Sequence, residues 1–493
     1  MYLSSRGYVL LKSQLTPAEI DAIRKELVLS PKENKAIRIA KPVEVKIVVF
    51  RENEQKIYVP RFYGMQKYGS PSKVDLPVGD TIDVPFQNEL RDYQKNIVNI
   101  YLDHVKSGLG GGILEVPCGR GKTIMGLNIL SQLKKKTLII VHKEFLLNQW
   151  MERIADFLPS ARVGKIQGKT FDIENKDIVI GMIQTMYDRP YPLNTFASFG
   201  LTILDEVHRV GSEEFSKTLL KVVTPYMLGI SATVDRKDGL TELLYMFIGP
   251  KIYSEERKDR FGVEVRAMQY THEHEDYLTE KFDYRGNIQY STMINVISDF
   301  SPRRRFLLKI LEDLLSEDSE KQIMVLSHKR DILDFLETEI NSSGFGTCGQ
   351  YVGGMKAEAL RDSEGKQIVL ATYAMAAEAL DIKTLNTLVM ISPKTDIVQS
   401  VGRILRTSCD GKIIVDIVDS HDVFQNQWKK RRVFYKKSEY TIKTITSGEY
   451  KNFDTSTADE WKVVFDPTTT KKKKKTTKSD DDDDDVPICS LDL

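Results

Sequence analysis

Cysteine is scarce in this chain: four residues in 493, Cys118, Cys348, Cys409 and Cys489, none of them paired as C-x-x-C. That usage argues against a zinc ribbon or a dithiol redox centre and fits a reducing compartment. Long apolar runs are also missing. The stretch from Gly7 to Lys12 is too short for a secretory core, and no later run reaches membrane-spanning length. These absences predict a soluble, intracellular protein with no membrane partner. Charge of one sign is not in excess either. Lys+Arg of 71 against Asp+Glu of 70 leaves a formal charge of +1, so a polyanionic partner is neither announced nor excluded and must be read from local patches.

What is present is an ordinary globular composition, 41% hydrophobic and 9% aromatic, in a chain long enough for two or three domains. From about Gly112, short β-branched runs alternate with amphipathic stretches, the pattern of parallel sheets covered by helices. One set of runs begins at Gly112, Thr137, Asp177, Leu201 and Met227, and a second at Gln322, Gln367, Thr387 and Lys412. Between the sets, Lys251 to Asp299 is polar with weak periodicity and reads as a linker. Ahead of Phe86, Thr16-Pro17 with Glu19 three residues after the threonine predicts a capped helix in an accessory segment. Five lysines at 471–475 and six aspartates at 480–485 cannot supply a core, which predicts a disordered tail. The expected division is 1–85 accessory segment, 86–250 first lobe, 251–300 crossover, 301–440 second lobe and 441–493 extension.

Two constellations carry chemistry. Val116-Pro117-Cys118-Gly119-Arg120-Gly121-Lys122-Thr123 follows a predicted strand and opens a predicted helix, the context of a phosphate loop. Val116 departs from the generic pattern, which has glycine there. Gly119 and Gly121 let backbone N–H groups curl around phosphate, Lys122 neutralises β/γ oxygens, and the Thr123 hydroxyl can ligate Mg²⁺. The second, Leu204-Asp205-Glu206-Val207-His208, sets an acidic pair at a strand exit, where Asp205 would hold Mg²⁺ and Glu206 would activate the attacking water. A D-E pair alone is most often a surface loop. Its pairing with the phosphate loop gives it weight.

These motifs resemble motifs I and II of superfamily-two helicases of the D-E-x-H kind, and further blocks follow in that family's order. The resemblance spans about Phe86 to Lys430 and implies two tandem recombinase-like α/β domains closing on one ATP, with a nucleic-acid partner. It implies adenine contacts from Arg91 and Gln94, and strand contacts from His142, Lys143, Thr185, Ser327 and Thr372. Ser231 and Thr233, with His208, would couple the ATP site to strand movement. In the second lobe Asp381 would touch nucleotide, although Ala379 stands where the family usually has glycine. Gln399-Ser400-Val401-Gly402-Arg403-Ile404-Leu405-Arg406 matches a Q-x-x-G-R-x-x-R block in which Gln399, Arg403 and Arg406 would be catalytic, the arginines as fingers. The P-C-G-x-G-K-T and D-E-V-H spellings resemble the DNA-repair and transcription-associated branch, which favours DNA over RNA and suggests a transcription or repair complex. The front segment around Val59-Pro60-Arg61-Phe62 also resembles helicases of large cytoplasmic DNA viruses, including their transcript-release type.

Two other stretches invite a nucleic-acid reading. Arg303-Arg304-Arg305 opens a predicted helix, and Trp428 to Lys437 interleaves cations with aromatics. Each is weighed against a solvated helix face. Glu44-Val45-Lys46 offers an E-x-K without an acidic partner and reads as a plain strand. A nucleic-acid scaffold with a vestigial nucleotide site is the remaining alternative to a motor.

Overall fold

The computed structural model describes residues 1–31, 46–117, 119–206, 212–234, 239–255, 262–378, 382, 384–395, 397, 401, 411–451 and 461–468. These fall into two compact units that divide between residues 256 and 257.

The first unit begins with the accessory segment. Its helix Pro17–Glu26 carries the capping box the sequence predicts: the Thr16 amide donates to Glu19 Oε2 at 2.7 Å and the Glu19 amide to Thr16 Oγ1 at 3.3 Å. A five-stranded sheet runs Arg51–Glu52, Lys56–Val59, Gly7–Leu11, Tyr2–Ser4, Val74–Asp75, antiparallel except for the last pair. Arg61 ties this segment to the lobe behind it. Its buried guanidinium donates to the Thr224 carbonyl at 3.1 Å and the Pro225 carbonyl at 2.8 Å.

The lobe is one sheet of β1 Gly111–Glu115, β2 Thr137–Val141, β3 Val163–Gln167, β4 Ile178–Met182, β5 Leu201–Asp205, β6 Tyr226–Ser231 and β7 Lys251–Ser254. Thr170–Phe171 forms an antiparallel edge, and the order continues β3-β4-β2-β5-β6-β1-β7 with every pair parallel. The runs are apolar throughout because both faces are covered. All five residues of β2 and of β5 are buried, the composition of central parallel strands. The loops leaving β1, β2, β4, β5 and β6 therefore emerge along one edge, where α/β sheets place their ligands.

The second unit repeats the plan with β8 Val263–Tyr270, β9 Ile323–Ser327, β10 Cys348–Tyr351, β11 Ile368–Thr372, β12 Thr387–Met390, β13 Lys412–Asp419, β14 Thr441–Thr446 and β15 Lys462–Phe465. Their order is β10-β11-β9-β12-β13-β8-β14-β15, and only the last pair is antiparallel.

Three sequence expectations change here. The stretch read as a linker contains β7 and β8, and β8 lies inside the sheet between β13 and β14. Its charges disguise it: Arg266 pairs with Glu317 at 2.9 Å and with Glu264 at 2.6 Å, so a polar-looking run can sit in a core. Arg303 is not a surface cation. It is fully buried, with its guanidinium on both carboxylate oxygens of Asp419 at 2.7 and 2.8 Å and on the Ile391 carbonyl at 2.8 Å. The aromatic half of the Trp428–Lys437 strip is likewise a core helix face, while Lys429, Lys430, Lys436 and Lys437 stay exposed. Trp428, Arg431 and Tyr435 are buried, and Arg431 forks onto Asp416 at 2.7 and 2.9 Å while the Tyr435 hydroxyl donates to the same carboxylate at 3.0 Å. Glu44, Val45 and the Lys/Asp tail lie outside the described residues.

Candidate active site

The loop after β1 supplies the first half of the site. Gly119 and Gly121 adopt φ of 82° and 79°, a left-handed backbone that side chains disfavour. At Gly121 a Cβ would also come within 2.3 Å of Gln94 Nε2. Gln94 is buried and clamps the loop, its amide donating to the Arg120 carbonyl at 3.0 Å and its Oε1 accepting the Arg91 backbone N–H at 3.0 Å. Tyr93 adds a second donor to the same carbonyl at 3.3 Å, while the Arg120 guanidinium stacks 3.8 Å over the Tyr93 ring and pairs with Glu255 at 2.6 Å. Lys122 and Thr123 then open the helix Lys122–Leu133, with Gly121 as its N-cap, so unsatisfied helical N–H groups face the loop.

The exit of β5 supplies the other half. Lys122 Nζ donates to Glu206 Oε1 at 2.9 Å, with the two side chains only 12% and 18% exposed. Glu206 holds a left-handed φ of 50°, and its amide donates to the Ile230 carbonyl at 2.9 Å. A non-glycine residue in that region costs roughly 1–3 kcal/mol, and such strain gathers at functional sites. Asp205 is buried beside it. Burial first, and the Glu206 charge second, push its carboxyl up to about 6, against the pull of Lys122 and of Trp150. Trp150 Nε1–H donates to Asp205 Oδ2 at 2.9 Å.

Trp150 was not singled out from the sequence. The available signal was a tryptophan on the helix Glu144–Phe157, after β2, where a buried indole needs an acceptor. Gly126 makes room for it, since a Cβ there would sit 3.1 Å from the indole edge. At the exit of β6, Ser231 is buried and its hydroxyl donates to the Thr233 carbonyl, while the Val234 amide donates to Glu115 Oε1 at 2.8 Å. The coupling candidates Ser231 and Thr233 are thereby linked to β1.

The strand-contact candidates fall on the same edge of their sheets. His142 and exposed Lys143 leave β2, Thr185 leaves β4, and Gln184 donates to the His142 carbonyl at 3.1 Å, joining the two loops. The Thr185 hydroxyl accepts the Gly168 amide at 3.0 Å. In the second unit Thr372 ends β11, partly exposed. Ser327 ends β9 fully buried, its hydroxyl 3.1 Å from Ser392 Oγ and accepting the Lys329 amide at 3.0 Å. That hydroxyl shapes the turn carrying His328 and has no face turned to solvent. Cys118, His208, Asp381, Gln399, Arg403 and Arg406 lie outside the described residues. Among the described residues no helix is long and apolar enough to cross a membrane.

Residues 87–236 match the family of type III restriction enzyme res subunits, and residues 303–408 match the helicase conserved C-terminal domain. A protein of Acanthamoeba polyphaga mimivirus, provisionally named an ATP-dependent RNA helicase, is 34% identical over 451 residues, covering 88% of this chain and 85% of its own. An African swine fever virus protein of the same provisional name is 27% identical over 400 residues, 76% of this chain and 77% of the relative. A DNA 3'-5' translocase of Sulfurisphaera tokodaii is 30% identical over 279 residues, 54% of this chain and 60% of the relative. The two tandem α/β units and these matches together make the chain a superfamily-two helicase, an ATP-hydrolysing enzyme related to helicases of large cytoplasmic DNA viruses.

Proposed function

We propose that the chain couples ATP hydrolysis to movement along nucleic acid, DNA in preference to RNA. The observation that carries the reading is the Lys122–Glu206 contact between the phosphate loop and the β5 exit. Without nucleotide, each side chain neutralises the other. When ATP arrives, Lys122 turns to the β/γ oxygens through the same charge, and Glu206 is left to take the proton of the attacking water. Arg91 and Gln94 hold adenine. The loop from Pro117 through Cys118, Gly119, Arg120 and Gly121 holds phosphate, with Asp381 as a further nucleotide contact. Gln399, Arg403 and Arg406 supply the remaining catalytic groups, and the two guanidiniums stabilise charge in the transition state.

The donor set fits Mg²⁺. Thr123 offers a hydroxyl oxygen and Asp205 a buried carboxylate held by Trp150, and Mg²⁺ ordinarily takes one or two carboxylates plus substrate phosphates. Bound Mg²⁺ would neutralise charge on the β/γ oxygens. His142, Lys143, Thr185, Ser327 and Thr372 serve the strand, Ser327 through the turn it shapes. His208, Ser231 and Thr233 couple strand grip to the nucleotide state. The functional division is 1–85 accessory and 86–250 first motor lobe, with the second motor lobe taking in β8 and running through β15.

The viral relatives carry RNA in their names and the archaeal relative carries DNA, so substrate preference is the finest part of this reading. The archaeal name also favours a second reading, a translocase that displaces proteins or transcripts within a transcription or repair complex without separating strands. Viral origin and an intracellular site of action accord with the viral relatives. Forked DNA and RNA duplexes, run beside a protein-roadblock and a stalled-transcript assay, separate the readings. Strand separation on DNA forks supports the first. Displacement without separation supports the second, and activity confined to RNA overturns the DNA preference.

A further inference from the structure

We propose that the first unit carries a second phosphate-binding site, in a cleft between the accessory segment and the lobe, and that it holds a backbone phosphate of single-stranded nucleic acid. It rests on the motor reading above. The cleft is small, about 60 Å³, and is lined by Arg6, Arg51 and Lys221 with Tyr191, Phe196 and Phe199. A water needs only about 10–15 Å³ of such space and small-molecule sites run to several hundred, so the cleft is of a size to admit a phosphoryl group.

The charge pattern is the main argument. Arg6 lies in the turn between the first two strands and Arg51 on an edge strand of the accessory sheet, while Lys221 follows the helix Ser212–Leu219 of the lobe. Among the described residues, no carboxylate lies within ion-pair distance of any of the three. They act on one another instead. Burial and then the Arg6 charge depress Arg51; burial and then the Arg51 charge depress Lys221, with Lys217 adding to the effect and Asp188 opposing it. Lys217 is itself engaged by Glu213 at 2.6 Å. Arg51 is exposed and Arg6 and Lys221 are partly buried, and with no carboxylate at ion-pair distance the three set up a positive field in the cleft that an anion would neutralise.

Their roles differ. Lys221 Nζ is spent on the carbonyls of Met186, Tyr187 and Arg189, at 2.9, 2.7 and 2.9 Å, so it contributes field. The guanidiniums of Arg6 and Arg51 are left to donate to phosphate oxygens. Continuity identifies the anion's source. Met186 and Tyr187 belong to the helix Ile183–Asp188, which carries Thr185, and the Tyr191 hydroxyl donates to the Thr185 carbonyl at 3.4 Å. The cleft lies where the chain enters β5 and β6, and the helix Ile183–Asp188 with Tyr191 joins it to Thr185, from which a bound strand would have to cross this helix to reach it.

The test uses the full chain without nucleotide. Fluorescent oligo-dT and oligo-rU are titrated across a range of salt with wild type, Arg51→Ala and Arg6→Ala/Arg51→Ala. A phosphate contact predicts affinity lower by about 5–10-fold in the double variant for both oligonucleotides alike, and a log–log salt slope smaller by about 1 per arginine removed. The melting temperature should hold or rise, because a repelling cation has gone. Unchanged affinity and slope overturn the proposal. So does a stabilisation of wild type by inorganic phosphate or tripolyphosphate that the variants lose while oligonucleotide binding is untouched, which would assign the cleft to a free anion. A wild-type protein that binds neither oligonucleotide defeats the motor reading itself, and this is distinguishable from variants that bind as tightly as wild type.

Discussion

The first unit's Lys122–Glu206 pair and the second unit's Arg431–Asp416 pair use the same opposite charges to different ends. Arg431 and Asp416 are each 1% exposed, forked onto one another and backed by Tyr435 and the Lys394 carbonyl. Every donor there is matched, and the pair has no second state to adopt. Lys122 and Glu206 meet through a contact between flexible side chains, 12% and 18% exposed, at the edge of the sheet, with Glu206 on a strained backbone. Such a pair can exchange its partner for an incoming anion. Arg303–Asp419 repeats the locked type. The contrast teaches that these ion pairs differ by burial: those sealed in the second unit's core brace its sheet, and the partly exposed one sits where phosphate is expected.

The sharpest way to break that comparison is to remove each kind of pair. Lys122→Ala and Glu206→Gln should each lower ATP turnover by about 10²–10⁴-fold, with nucleotide binding retained in Glu206→Gln, as steady-state phosphate release and a fluorescent-nucleotide titration would report. Their melting temperatures should stay close to wild type. Arg431→Ala should do the reverse, leaving Asp416 buried without its partner and lowering unfolding stability by about 3–5 kcal/mol, read as a marked fall in melting temperature of the second unit. If Lys122→Ala destabilises as strongly as Arg431→Ala, the distinction fails.

A smaller effect sharpens it. Trp150→Phe removes the N–H that holds Asp205 and should raise the Mg²⁺ concentration for half-maximal turnover by about 10-fold, the size expected for a group that orients a metal ligand; an unchanged Mg²⁺ requirement would assign Trp150 to packing alone. The smallest effect is in the second unit. Burial depresses the His328 pKa, aided by Lys394, although its bond to the Pro393 carbonyl opposes the shift. The folded state therefore favours neutral imidazole, so the associated stability is present above the ordinary histidine range near 6.5 and is lost as pH falls below it. Melting curves from pH 7.5 to 5.5 should slope less steeply for His328→Gln than for wild type, by under about 1 kcal/mol over the range.

The strands of both lobes were legible wherever an apolar run is buried on two faces, as with Thr137–Val141 and Ile323–Ser327. The turn from β1 into helix Lys122–Leu133 was legible because its glycines, lysine and threonine are contiguous. What was hidden depended on partners distant in sequence. Arg303 looked like a surface cation until Asp419, 116 residues on, took its fork. Strand β8 looked like linker because Glu264 and Arg266 hide their pairing with Lys443 and Glu317. Trp150 reaches Asp205 across 55 residues. Periodicity reports burial but not which charge finds which, and that is the information a single sequence withholds.

The central claim is that Lys122 and Glu206 form a nucleotide-responsive pair in a nucleic-acid motor. It is tested most directly by ATPase activity of the full chain titrated separately with single-stranded DNA, duplex DNA and RNA, in wild type and Glu206→Gln. The account predicts turnover that rises with nucleic acid in wild type, most with DNA, and is lower by about 10²–10⁴-fold in the variant in every titration. Robust turnover by Glu206→Gln, or no hydrolysis by wild type at saturating nucleic acid, would contradict it.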